Sequence, residues 1–322
     1  MSEARTASTF HHRVPAPLAL GLLAVLAALP FIAQATGQEF YIGFATRLLI
    51  FSLAATSLNL ILGFGGMVSL GHAAYFGFGA YLVGILMQQG IASAWIAWPL
   101  VMLASGLLAL LIGVVALRTK GVHFIMITLA FAQMMYYVMT SLKIWGGDDG
   151  MSLAGRSALL PGVDLSSEPT LYWVVLAVTA TAMVGLWRLV NARFGRVIQA
   201  IRDNELRMQA LGYPVLRYKL ACFAIAGALA GLAGALLANQ NMMVSPGLLH
   251  WTQSGTLMVM VILGGMGYLW GGVLGAVALL GLEEILSAYF SYWQFVLGIV
   301  LLGAVIAFPK GLAGLLDRRP KT

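Results

Sequence analysis

Long apolar runs dominate this chain, and they decide its fold class before any other feature. A helix needs about 20 consecutive apolar residues to cross the hydrocarbon core of a bilayer. Runs of that kind lie near 18–36, 40–62, 72–90, 94–117, 122–142, 170–190, 219–239 and 285–308, with a further apolar stretch at 255–282. None shows the ~10-residue alternation of a membrane barrel. Hydrophobic residues make up 61% of the chain and charged residues 9%, where a soluble domain carries about 25% charge to cover its exterior. The expected fold is an all-α polytopic membrane protein with about 8 transmembrane helices plus a glycine-rich hairpin, for roughly 8–10 spans in all. A single cysteine excludes a disulfide framework and a cysteine-rich zinc site.

Basic residues orient the spans. Arg5 and Arg13 precede the first run, Arg118 and Lys120 flank the turn at 118–120, and Lys310, Arg318, Arg319 and Lys321 follow the last run against Asp317. The segment from Arg188 to Lys219 holds seven basic residues against Asp203 and Glu205. All four segments belong in the cytoplasm by the positive-inside rule. The loop 143–169 carries Asp148, Asp149, Asp164 and Glu168 against Lys143 and Arg156, and belongs outside. The chain then divides into a cytoplasmic tail at 1–17, one transmembrane domain at 18–308 and a basic cytoplasmic tail at 309–322. The first run resembles a signal peptide with Ala33-Gln34-Ala35 as a cleavage site, but its length and the spans that follow favour a retained anchor. A net charge of +7 is an orientation signal and gives no reason to expect nucleic acid, because the basic residues flank spans.

The stretch 255–282 is too long for one span and too short for two, and parity requires an even number of crossings. Gly264, Gly265, Gly267, Gly271, Gly272 and Gly275 weaken a continuous helix there. A re-entrant or broken hairpin fits both facts, with a long tilted helix as the alternative. Irregular backbone at that depth must line protein or a water-filled path. Ile61-Leu62-Gly63 opens a second glycine-dense stretch, as Ile262-Leu263-Gly264 opens this one, a short match of the kind internal duplication leaves.

Polar groups inside the spans are few: Arg47, Asn59, Ser69, His72, Gln133 and Asn239. Arg47 lies about two turns in from the outer end, within snorkelling reach of that interface. For Asn59 and His72 a hydrogen bond between helices is the plain reading and substrate contact the sharper one. The translocation pathway candidates are Asn59, Ser69, His72, Gly264, Gly265 and Gly267. Small residues from Ala224 through Gly227, Gly231 and Gly234 to Ala238 line one face and mark close helix packing. Catalytic constellations are missing: there is no P-loop and no His-Glu-x-x-His, and Asp148-Asp149 sits in a glycine-flanked turn.

The segment 191–218 reads as an amphipathic helix, with Val197, Ile198, Ile201 and Leu206 at helical spacing and arginines opposite, ended by Gly212 and Pro214. Such a helix lies on lipid or docks in a partner's groove.

Leu58-Asn59-Leu60 leading into Gly63, Gly66, Ser69-Leu70-Gly71-His72 and Gly79-Ala80-Tyr81 closely resembles LivM-type permeases of branched-chain amino acid ABC importers. Gly121-Val122-His123-Phe124, the loop Gly146-Gly147-Asp148-Asp149-Gly150 and the run from Arg193 to Gly212 extend the resemblance over about 40–315. It implies a bacterial inner-membrane subunit, itself no enzyme and binding no cofactor, paired with a homologous LivH-type permease. Two cytoplasmic ATPases would hydrolyse ATP, and a periplasmic amino-acid-binding protein would deliver substrate. It also implies that the cytoplasmic segment docks on the ATPase, with Phe194, Gly195, Arg196, Arg202, Asp203, Asn204, Glu205 and Gly212 as coupling residues. The rivals are a urea or amide importer of similar architecture and, in another class, a stand-alone secondary transporter or channel. Ion coupling usually leaves carboxylates buried in spans. Glu283 and Glu284, at the start of the span 285–308, read as interfacial.

Overall fold

The computed structural model describes residues 40–159 and 165–316, together with positions 26, 28, 30 and 31. The expected first span and its cleavage site lie outside the described residues apart from those four positions, which are helical, as do the tail 1–17 and residues 317–322. Helix α1 (Phe40–Asn59) runs on as a π-helical turn, Leu60–Phe64, and then breaks. After it come α2 (His72–Gln88), α3 (Ala94–Ala116), α4 (Val122–Ser141) and α5 (Glu168–Asn191). Two short helices, α6 (Arg193–Asp203) and α7 (Glu205–Ala210), lead into α8 (Val215–Asn241). The described chain closes with α9 (Trp251–Gly264), α10 (Gly271–Tyr289), α11 (Trp293–Ala307) and α12 (Ala313–Leu316). Among the described residues six helices are long and apolar enough to cross a membrane: α1 with its π turn, α3, α4, α5, α8 and α10.

Burial sorts these helices into a centre and a periphery. The apolar window of α1 is 89% buried and that of α8 72%, against 22–39% for the other four. The small-residue face of α8 is the reason. Gly227 lies on Ala109 of α3, Gly231 lies on Ser105 of α3 and on Gly79 of α2, and Gly234 lies on the Phe76 backbone of α2. A Cβ at any of these glycines would overlap its neighbour, so the missing side chains let three backbones approach. Cys222 is fully buried on this helix, as a small apolar thiol.

At one end of the bundle β1 (Met151–Ser152) pairs antiparallel with β2 (Met243–Val244), and Asn239 Oδ1 accepts from the Ser157 amide at 2.7 Å. The loops 143–169 and 240–253 therefore meet. At the opposite end Glu205 reaches both Lys120 and Lys219. The loops group as alternating spans require.

Between 255 and 282 the chain is a broken hairpin, with the break at residues 265–270, and both legs run beyond the expected bounds. α9 begins at Trp251, and α10 continues to Tyr289, so Glu283 and Glu284 lie in its last two turns. The expected span 285–308 is correspondingly shorter, the 15-residue α11. Gly271, Gly272 and Gly275 do not break α10, because they seat it: Gly272 rests on Thr56 of α1 and Gly275 on Met260 of α9. Tertiary packing overrides the low helix propensity of glycine there.

Candidate functional site

The segment after α5 turns sharply because Gly195 lies directly on the carbonyls of Leu189 and Val190, where a Cβ would not fit. α6 then buries Ile198, Gln199 and Ile201, and Gln199 Nε2 donates to Gly195 O at 3.1 Å. Phe194 stacks on Tyr218 of α8 with ring centroids 5.6 Å apart. Arg193 and Arg196 point away from the bundle and are exposed.

The single helix expected here is two. Asn204 leaves helical backbone (φ −157, ψ 97), and its Oδ1 accepts from the Arg207 amide at 2.9 Å, which caps α7. A short Asn side chain competes for backbone groups and so favours a cap over a helix interior. The break turns Leu206 outward: it is 73% exposed and Leu211 66%. Leu206 therefore does not continue the buried face of Ile198 and Ile201. Gly212 ends α7 at φ +82, a conformation that L side chains rarely adopt. Glu205 holds the pair of helices to the bundle through Lys219 at 2.9 Å and Lys120 at 3.3 Å. Burial pushes its carboxyl up, but the hydrogen bonds and charges of the two lysines together outweigh burial and hold it below its ordinary value.

Arg202 is the side chain of this segment that reaches the bundle's broken helices. Its Nη1 donates to Gly63 O in the π turn of α1 at 2.7 Å, while Nε and Nη2 reach Asp203 Oδ1 at 3.3 and 3.2 Å. A π turn opens the regular hydrogen-bond ladder, and the guanidinium makes a charge-assisted bond to a carbonyl within it. Gly66, at φ +66, leaves the space that the Arg202 stem occupies, and Gly267, at φ +78, lies beside its Nη1. Asn59 grips the same hairpin turn: Oδ1 accepts from Gly267 N at 3.0 Å, and Nδ2 donates to Tyr268 O at 2.7 Å. Asn59, Arg202 and Gly267 are thus brought together at one junction of α1, α6 and the hairpin.

Ser69 and His72 sit apart from that junction, whereas Gly264 and Gly265 open the same hairpin break as Gly267. His72 Nε2 lies 2.8 Å from Ser57 Oγ and ties the start of α2 to α1, and Ser69 Oγ accepts from Gly71 N at 3.2 Å. Gly264 packs on Gly271, and Gly265 (φ +115) on the Lys310 backbone. Asn59, Ser69 and His72 are fully buried. Sequence reading missed the Gly63 carbonyl, because an acceptor on the backbone leaves no signature in residue type.

The two glycine breaks match in detail. Gly65-Gly66-Met67 and Gly264-Gly265-Met266 each end a helical segment, the second glycine of each has positive φ, and α2 and α10 restart six residues after it. The correspondence lies two residues later in α1 than the Ile-Leu-Gly match had it.

A membrane-spanning bundle with two glycine-rich broken hairpins, tied together at their breaks by Arg202 and Asn59, has the build of a transport permease. The chain belongs to the family described as branched-chain amino acid transport system / permease component, whose profile matches residues 40–305. It is 27% identical to the high-affinity branched-chain amino acid transport system permease protein LivM of Salmonella typhimurium over 91% of this chain and 73% of that protein. To LivM of Escherichia coli it is 28% identical over the same shares. The autoinducer 2 import system permease protein LsrC of Klebsiella pneumoniae is 33% identical over 42% of this chain and 40% of its own length. No solved structure matches.

Proposed function

We propose that the chain is the permease subunit of an ATP-driven importer of branched-chain or other hydrophobic amino acids in a bacterial inner membrane, with both termini cytoplasmic. It works beside a homologous permease, two cytoplasmic ATPases that hydrolyse the ATP, and a periplasmic amino-acid-binding protein. The family and the LivM relatives support the substrate class.

The observation that carries the mechanism is the Arg202 bond to Gly63 O. The pair α6–α7 and the turn after it leave Leu206, Leu211, Arg193 and Arg196 exposed, apolar and cationic side chains of the kind that docks a partner protein. On its inner side Arg202 reaches both glycine breaks. Closure of the ATPases would displace α6–α7, and the guanidinium would carry that displacement into the π turn and the hairpin. The path would run between this chain and its partner permease beside those breaks, where alternating access needs irregular backbone to rearrange.

Co-purification with the two ATPases and a binding protein, followed by ATPase and uptake assays with a panel of amino acids, urea and simple amides, tests the reading. Stimulation by leucine, isoleucine or valine is the expected result. Transport by this chain alone, or stimulation by urea only, would overturn it.

A further inference from the structure

After α11 the chain folds back onto the hairpin break. Leu312 N donates to Leu263 O at 2.9 Å, one of the last carbonyls of α9, which have no partner within the helix. Gly311, at φ +70, lies directly on Gly265, where a Cβ would not fit. Between the returning segment and the break lies a cavity of about 290 Å³, near the lower end of the range for small-ligand sites. Ile262, Met266 and Tyr268 wall it on the hairpin side, and Val305, Phe308 and Lys310 on the other. Met266, Val305, Phe308 and Lys310 are exposed, so the rim lies at the surface of the bundle. Among the described residues that line the cavity, Lys310 is the one with a charge and none is acidic. Lys310 makes no ion pair among the described residues. α11, which supplies Val305, buries no residue and carries no charge from Trp293 to Ala307. A helix apolar all round needs hydrocarbon beside it.

From this arrangement we infer that the cavity holds an anionic phospholipid and that this lipid regulates transport. Its phosphate pairs with the Lys310 ammonium at the rim, and the start of an acyl chain lies along Ile262, Val305 and Phe308. An ammonium is a point charge suited to phosphate, and apolar walls suit a chain. By the proposed topology the site faces the cytoplasmic leaflet, where anionic lipids concentrate. Tyr268 gives the lipid a route to the coupling junction, because it walls the cavity while its carbonyl accepts from Asn59 Nδ2 at 2.7 Å. An occupant that braces residues 308–310 against Tyr268 stiffens the hairpin turn that Asn59 grips. The leaflet and the effect on uptake rest on the proposed function; binding of the lipid does not. A lysine that snorkels to any nearby phosphate would account for Lys310 but makes no use of the cavity.

The test is the melting temperature of the purified full chain in detergent, titrated with phosphatidylglycerol, with phosphatidylcholine of the same acyl chains, or with inorganic phosphate. Phosphatidylglycerol should raise it by about 2 °C or more, and the other two should not. Lys310→Gln should lose the preference for phosphatidylglycerol. Val305→Trp fills the cavity from an exposed position and leaves the charge in place, and it should lose the shift. Ile262→Phe should do the same from the opposite wall, while Arg318→Gln, a basic position further along the tail, should keep it. In proteoliposomes, uptake by the complete importer should be about fivefold higher with phosphatidylglycerol than in pure phosphatidylcholine, a gain that Lys310→Gln and Val305→Trp lose. Equal shifts with the two lipids in wild type would overturn the inference. So would a shift that survives both Val305→Trp and Ile262→Phe, the mark of summed surface charge, or one that inorganic phosphate reproduces, the mark of a free-anion site. Loss of the ATPase subunits from Val305→Trp in lipid-free detergent would assign the cavity to a partner protein instead. A lipid shift without a gain in uptake would overturn the regulatory role. An importer that moves no amino acid in either lipid, with the shifts as expected, would sink the proposed function and leave the lipid site standing.

Discussion

Arg202 shows how much a single side chain decides here. Its bond to Gly63 O is charge-assisted, a kind worth about 1.5–3 kcal/mol, and it requires a planar group that reaches Gly63 and Asp203 together. An ammonium in Arg202→Lys cannot keep both contacts. Uptake should fall about tenfold or more, with membrane insertion intact, since 1.4 kcal/mol is a factor of about ten. Measuring uptake at matched expression checks this, and a fully active Arg202→Lys protein would remove the residue from coupling. Gly66 is a second such position. Its φ of +66 and the Arg202 stem lying in its side-chain space act together, and left-handed backbone alone costs a non-glycine residue about 1–2 kcal/mol. Gly66→Ala should therefore weaken coupling as Arg202→Lys does, while Gly43→Ala, with open space around it, should leave the fold unchanged.

The elements most open to test are α6 and α7. Six residues of α7 cannot stand as a helix without help. Asn204 supplies the cap and Glu205 the tie to the bundle. Asn204→Ala should cost about 1 kcal/mol, enough to fray α7 and reduce recovery of the ATPase subunits in a pull-down, whereas Asn204→Asp should keep both. Glu205 also sets a pH limit. Its folded-state pKa is lowered, so its stabilising contribution is fully present above the unfolded value and is lost as pH falls through the folded one. That places the loss below the ordinary glutamate value of about 4.3. Proteolysis at the α7 segment should rise over that range in wild type, while Glu205→Gln should be cleaved readily at every pH.

At the scale of the whole molecule the grouping of loops into two ends predicts accessibility from the two sides of a membrane. Ala154, beside β1, and Gln209, on α7, are exposed at opposite ends. Cysteines introduced there, in a Cys222→Ser background, should react oppositely with an impermeant thiol reagent on intact cells: Ala154→Cys labelled and Gln209→Cys protected. Labelling of both would break the topology. The packed centre gives a stability prediction. Gly231→Val would drive a branched side chain into Ser105 of α3 and Gly79 of α2, and overpacking of this kind costs about 1–3 kcal/mol or more. The melting temperature of the purified protein should drop well below that of Gly185→Ala, a helix position with nothing within 4 Å.

The membrane class, the bounds of most spans and the position of the hairpin were legible from the sequence because each depends on local quantities. Span length is set against bilayer thickness, and glycine density against helix propensity. The packing face of α8 was legible for the same reason, as a repeat along one helix. Two things were not. Leu206 fits one amphipathic period with Val197, Ile198 and Ile201, and only the Asn204 cap formed within the fold splits that period in two. The junction that joins α6 to the two glycine breaks is made of partners 139 and 208 residues apart, Arg202 with Gly63 O and Asn59 with Gly267 N. Each of those bonds ends on a backbone group. Every residue has such groups, so the tertiary structure alone decides which of them a side chain meets.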